Sequence, residues 1–347
     1  MQIEKPILKV CFPWFTTPGQ FQKTIKINTR NMKKTLKILL CFLLVLFIFI
    51  NIITAFHAYK FTHFYDIGQV AIIKNENKTG WDKTKEILFG INVVKQKNNA
   101  PDSGYEKVII KTKDDIKLQG WYVKLKDSAK GTVILFHGHG SKKSSVTDEA
   151  ASFRKLGYHT FLLDFRAHGN SSGNTSTIGY YESEDVKLAY DFIKEKGEKN
   201  IVLWGISMGA AAVTKAMNDY ALAPSKIIIE MPFASILQAA EGRIKMMGLP
   251  PEPLATFITF WGGTLHGFWA FGMQPSEFAK KITVPVLLQW GKQDARVKEE
   301  ETAAIFANLA GKKELVEYET AGHESLCVKE HDKWMATVGR FLNEEIR

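Results

Sequence analysis

Three residues, each at the end of an apolar run, have the types and the chain order needed to break an acyl bond: Ser207, Asp294 and His323. Ser207 lies in Ile201-Val202-Leu203-Trp204-Gly205-Ile206-Ser207-Met208-Gly209-Ala210, where an apolar run breaks into Gly-x-Ser-x-Gly and then into Ala-rich sequence. A buried strand that turns at once into a helix tolerates almost no side chain on either flank of the turning residue, and Gly205 and Gly209 meet that need. On such a nucleophile elbow the serine hydroxyl stands above the sheet. The Met208 N–H, at a helix N-terminus, then faces any oxyanion that forms there. A glycine-rich turn with an idle serine would look the same over this stretch, so its context has to decide.

A serine nucleophile needs a base and a group that orients the base. Residues 284–291 read as a buried strand running into Lys292-Gln293-Asp294, which places Asp294 just past a strand's C-terminal end. Residues 313–319 read as a second strand, followed by Thr320-Ala321-Gly322-His323 and a helix carrying Leu326, Trp334 and Phe341. His323 is therefore expected in a loop at the same sheet edge, as the base, with Asp294 as its orienting acid.

The elements that must hold these residues follow from the same patterns. Residues 108–111 and 116–125 read as an antiparallel hairpin, 132–136 and 158–164 as buried strands, and 148–156 and 183–196 as helices. Strands alternating with helices in this way give a mainly parallel sheet covered on both faces.

With Phe136-His137-Gly138-His139-Gly140 and Asp164-Phe165-Arg166-Ala167-His168-Gly169-Asn170-Ser171 added to the elbow, the chain from about 107 to 347 resembles the α/β-hydrolase superfamily. The likeness is to its lipase, esterase and peptidase branch. That resemblance implies an α/β-hydrolase fold with a helical lid, and it makes the His139 N–H the second oxyanion donor. It also offers Glu230, at the end of a strand over 226–230, as a rival for the acid. Two departures stand out: Ala167 replaces a glycine, and His139 stands where such proteins often carry a small or amide residue.

The lid is expected over about 235–276. Residues 253–276 have no charged side chain and carry Phe257, Phe260, Trp261, Phe268, Trp269, Phe271 and Met273. A second membrane crossing there would put Ser207 and Asp294 on opposite sides of a bilayer, and Gly262, Gly263, Gly267 and Gly272 suit a turn-rich lid. Trp261, Phe268 and Trp269 are the residues expected to wall a substrate pocket, a helix pair that merely closes the core being the plain alternative.

The net charge of +10 suggests nucleic acid only until it is divided along the chain. Residues 1–37 carry +7 of it, which leaves +3 for everything after, so the basicity belongs to a leader and no nucleic-acid partner is implied. Residues 38–56 follow without a charge, just long enough as a helix for the ~30 Å hydrocarbon core. No Ala-x-Ala-like site follows, which favours an uncleaved transmembrane signal-anchor over a secreted, cleaved product. The charge asymmetry puts the basic side in the cytoplasm and the catalytic domain outside. Residues 57–105, with a short helix around 81–89, are expected to link anchor to domain, and 106–347 to form the domain. Met32-Lys33-Lys34 could itself start such a signal, leaving 1–31 as an upstream extension or a cytoplasmic tail. Cys11, Cys41 and Cys327 fall before, within and after the apolar segment, so no disulfide framework is expected.

Together these readings point to a membrane-anchored serine hydrolase that cleaves carboxylic esters or related acyl bonds through an acyl-enzyme, on small-molecule or lipid-like substrates. No metal or organic cofactor is implied. A peptidase or acyltransferase on the same residues, or an idle binding protein of this fold, are the alternatives.

Overall fold

The computed structural model describes residues 29–71, 75–100 and 104–344. The chain divides into two compact units, 1–48 and 49–347. In the first, the described residues are helical and every side chain over 32–49 is exposed. An apolar helix exposed all round is suited to lipid, and residues 32–62 are long and apolar enough to cross a membrane.

That helix, α1 (Thr29–Thr62), is longer than the apolar run predicts. Its 34 residues span about 51 Å, against about 30 Å of hydrocarbon. His57, Tyr59 and Lys60 end the apolar run without ending the helix, because none of them breaks backbone hydrogen bonding. The surplus turns pack on protein: Thr54 and Ala58 are buried, and Trp261 Nε1 donates to Asn51 Oδ1 at 3.2 Å.

In the second unit, the stretch expected to be a connector carries structure. β1 (Phe64–Tyr65), α2 (Gly80–Phe89) and β2 (Val93–Val94) follow α1, and β1 pairs with β2 in parallel. α2 has a capping box in which Thr79 and Asp82 satisfy each other's backbone N–H groups. Phe64 is fully buried, its N–H donates to Asn174 O, and Lys95 forms an ion pair with Asp66.

The remaining strands are β3 (Glu106–Lys111), β4 (Lys117–Val123), β5 (Thr132–Phe136), β6 (His159–Leu163), β7 (Ile201–Ile206), β8 (Lys226–Glu230), β9 (Val286–Gly291) and β10 (Lys313–Tyr318). They form one sheet in the order β10-β9-β8-β7-β5-β6-β4-β3, parallel from β10 to β6, with β4 antiparallel to both β6 and β3. β5, β8 and β9 are buried at every residue, the mark of a parallel sheet covered on both faces. The covering helices are α3 (Thr147–Lys155), α4 (Glu182–Glu195), α5 (Met208–Asp219), then α6 (Ile236–Met246), α7 (Leu254–His266) and α8 (Pro275–Phe278) in the lid stretch. After β9 come α9 (Glu299–Asn308), α10 (Leu326–Lys329) and α11 (His331–Asn343). Parallel neighbours end at the same edge, so the residues following β7, β9 and β10 are brought together by topology alone.

Candidate active site

The turn from β7 to α5 places Ser207 at φ 54°, a left-handed conformation that side chains resist. The bracketing glycines answer to close approach. A Cβ on Gly209 would run into the carbonyl oxygens of Phe136 and His137, and one on Gly205 would meet the backbone of Gly209. Helix α5 can therefore start directly behind the end of β5 with Ser207 held proud of the sheet.

His323 Nδ1–H donates to Asp294 Oδ2 at 2.7 Å, and His323 Nε2 accepts from Ser207 Oγ–H at 2.9 Å. The Asp294 side chain is fully buried, and its other oxygen, Oδ1, accepts the N–H groups of Arg296 at 2.7 Å and Val297 at 3.0 Å. The loops carrying the two residues are laced together: Lys292 N–H donates to Tyr318 O and Gln293 N–H to Ala321 O. Gly291 makes this possible, since a Cβ there would collide with the carbonyls of Ala321 and Gly322. This arrangement can draw the proton from a serine hydroxyl while a carboxylate fixes the imidazole tautomer.

Glu230, the rival acid, is elsewhere. Its Oε1 accepts from Trp204 Nε1 at 2.9 Å, Trp334 Nε1 at 2.8 Å and Gln289 Nε2 at 3.0 Å, and burial raises its pKa to about 8. A carboxyl kept neutral among tryptophans is a packing element.

The side expected to hold an oxyanion comprises Met208 and the loop after β5. The Met208 N–H is the first of α5 and has no carbonyl one turn back within the helix. A Cβ on Gly138 would stand 3.5 Å from that of Ser207, so the loop after β5 passes beside the serine. Three histidines, two of them buried, brace this loop. His137 bonds Gly138 O and Phe165 N–H, His168 Nε2 accepts from Gly140 N–H at 3.1 Å, and His139 Nε2–H donates to Phe61 O at 3.2 Å. Burial depresses all three, His137 to about 3, so they are neutral bracing groups near neutral pH. The Asp164–Ser171 motif is the scaffold beneath them. Asp164 accepts from Lys143 Nζ at 2.5 Å and from the N–H groups of Lys143 and Asn170, while Arg166 is pinned by Asp185 and Glu184. Ala167, the departure from glycine, has φ 63° and carries the strain a glycine would avoid.

Ser207, Met208, His139 and His323 line one cleft of about 580 Å³. Its apolar wall includes Phe61, Ile178, Phe233, Met246 and Met247. The three aromatic residues expected there lie off it. Trp261 bonds Asn51, Trp269 is 66% exposed beside Phe271, and Phe268 stacks on Tyr180 at 4.1 Å. Phe268 lines a small adjoining cavity of about 60 Å³ that shares Phe61, Ile178 and Ala239 with the cleft. Burial of an apolar helix needs only some partner, and here α1 and Tyr180 supply it.

Two wall residues carried no sequence signal. Phe61 belongs to the last turn of α1, and its ring packs 4.4 Å from that of His139. Ile178 is held at φ 55°, a true outlier for a β-branched residue. Buried Glu182 over-determines it by accepting from Ser176 Oγ, Thr177 N–H and Oγ1–H, and Gly179 N–H at 2.8–2.9 Å. Strain of this kind persists where it aims a side chain at a site.

The Hydrolase_4 family (serine aminopeptidase, S33) matches residues 127–251, a stretch that includes Ser207 and stops short of Asp294 and His323. The uncharacterized protein YqkD of Bacillus subtilis is 27% identical over 230 residues, 65% of this chain and 75% of that one. The lysophosphatidylserine lipase ABHD12 of Danio rerio is 30% identical over 129 residues, 35% of this chain and 33% of that one. Among solved structures, the Pyrococcus furiosus esterase Pf2001 superposes with a TM-score of 0.60 at 25% identity, covering 72% of this chain and 95% of that one. Strand order, elbow and these likenesses agree, and the chain is a hydrolase of the α/β-hydrolase superfamily.

Proposed function

We propose that this protein is a membrane-anchored serine hydrolase that cleaves carboxylic esters of apolar, lipid-like acyl groups through an acyl-enzyme. The observation that carries this is the unbroken chain from Ser207 Oγ through His323 to buried Asp294, at 2.9 and 2.7 Å. Ser207 Oγ attacks the ester carbonyl as His323 Nε2 takes its proton. The Met208 and His139 N–H groups hold the oxyanion, and Asp294 offsets the imidazolium charge. Collapse expels the alcohol, which leaves with the proton from His323. Water, activated by the same imidazole, then releases the acid and frees Ser207.

The acyl preference is supported by the cleft wall, where Met246 and Met247 are partly exposed and can adapt to a flexible chain. Each CH₂ it buries is worth ~0.8 kcal/mol, about fourfold in binding. The lipid named for the zebrafish relative is of this class. The aminopeptidase in the family's name fits less well, because a peptide's ammonium would enter a cleft lined by Arg243 and Arg296.

The experiment is labelling of the purified full chain with a fluorophosphonate, followed by turnover of acetyl to dodecanoyl esters. Labelling that disappears in Ser207→Ala, with kcat/KM rising with chain length, is expected. An unlabelled wild type would sink the serine mechanism. For orientation, we infer that the catalytic unit is extracytoplasmic, from the +7 of residues 1–37. Protease added to intact cells should then digest it, and full protection would reverse the assignment.

A further inference from the structure

Two arginines line the cleft that holds Ser207, and nothing in the hydrolase chemistry uses them. Arg243 projects from α6 and Arg296 from the loop between β9 and α9, two residues beyond Asp294. The segments touch: a Cβ on Gly242 would collide with Arg296 O, so glycine is what lets α6 lie against the acid's loop. The guanidinium of Arg243 stacks over the Phe61 ring at 4.2 Å, which fixes its place in the cleft. Among the described residues neither guanidinium has a carboxylate within ion-pair distance. Both arginines keep substantial exposure to solvent, while the protein crowded around Arg243 and the charge of Arg296 press the Arg243 pKa downward.

The cleft's carboxylates are engaged elsewhere. Glu149 takes a hydrogen bond from Ser325, and Glu324 lies 3.8 Å from Lys329 and accepts weakly from Gly322 N–H. Two like charges lining one cleft without a counter-ion repel each other, a cost that an anionic ligand would offset. Two planar forks suit the several oxygens of a phosphate, whereas one fork suffices for a carboxylate.

From this arrangement we propose that Arg243 and Arg296 form a phosphate-binding subsite, so that the preferred substrate is an acyl ester whose alcohol portion carries a phosphate. This rests on the ester-hydrolase reading above. With the carbonyl at Ser207 and the chain against the apolar wall, the phosphate seats between the two guanidiniums. The alcohol leaves with its phosphate intact.

The test compares 1-decanoylglycerol with 1-decanoylglycerol 3-phosphate on the full chain in neutral detergent. The wild-type ratio of kcat/KM should favour the phosphate ester by about 10- to 100-fold, the range for charge-assisted hydrogen bonds. Arg243→Gln and Arg296→Gln should each bring the ratio toward one, and Arg243→Lys should restore only part of it. Because a ratio is read, the fraction of folded protein cancels. A wild-type ratio near one, or a ratio unmoved by either Gln variant, overturns the subsite. Turnover of the neutral ester without a phosphate preference defeats the subsite and leaves the hydrolase reading standing. If neither ester is turned over, the hydrolase reading falls and thermal stabilisation by decyl phosphate decides the subsite. Stabilisation lost in both Gln variants supports it, and no stabilisation of the wild type overturns it. Inorganic phosphate at matched concentration should stabilise less, since it lacks the chain; an equal effect would overturn the lipid-like source.

Discussion

The two walls of the cleft are built on different principles. On one, Ser207, Asp294 and His323 follow parallel strands, and each position is fixed by backbone hydrogen bonds or a glycine contact within the same few loops. On the other, Phe61, Phe233, Met246 and Met247 come from α1, a loop and the end of α6 and are held by packing, and Ile178 alone is aimed by the hydrogen bonds its neighbours give Glu182. Chemistry tolerates almost no displacement, so it is carried by short local patterns. A surface for an acyl chain needs only area and apolarity, so it is gathered from wherever the fold leaves an apolar side chain unspent.

The contrast is broken most sharply at Asp294. Asp294→Asn should lower kcat on the order of 10²–10⁴-fold through a mis-set tautomer, by analogy with the trypsin-like case on which that range rests. Glu230→Gln should cost kcat little in a steady-state assay with a neutral ester, and the reverse ranking would exchange the roles of the two carboxyls.

A smaller effect is expected on the apolar wall. Phe61→Ala should lower kcat/KM for a decanoyl ester by up to about tenfold relative to an acetyl ester, the loss of a few buried CH₂ contacts. Trp269→Ala should leave that chain-length ratio unchanged. Equal losses on both esters in Phe61→Ala would show that Phe61 acts through His139 and not as wall.

Smallest is an effect on stability. Glu230 is protonated in the fold up to about pH 8, whereas its ordinary value is 4.5. The folded state therefore binds more protons in that window, and stability falls as pH rises from 4.5 to 8, by at most about 1.4 kcal/mol per pH unit from this group. Glu149, raised by burial to about 7, adds a slope of the same sign. Melting curves of Glu230→Gln should show a shallower decline of Tm over that range; an unaltered slope would mean Glu230 is ionised in the fold.

That Ser207, Asp294 and His323 would meet was legible because the signals are local. Gly205, Ser207 and Gly209 announce a tight turn, and Asp294 and His323 each follow a run whose β pattern is unmistakable. Even Ala167 was readable as a departure, although its φ of 63° was not. The binding half was not legible, because hydropathy shows that residues 253–276 are apolar without showing which partner each side chain finds. Trp261 found Asn51, and Phe268 found Tyr180. Arg243 and Arg296 look like ordinary surface charges until Gly242 brings their segments into contact.

The bond from His139 Nε2–H to Phe61 O has a practical side. Residue 106, where the domain was expected to begin, is where one would cut to obtain a soluble enzyme, discarding everything before it as tether. Such a cut would take away Phe61 and Phe64, whose rings lie 4.4 and 5.2 Å from that of His139. It would also remove the ring over which Arg243 stacks. On the proposed mechanism, a trimmed protein would fold around its sheet, keep its serine, and still bind the oxyanion poorly. The functional boundary of this enzyme lies inside the helix, well before residue 106.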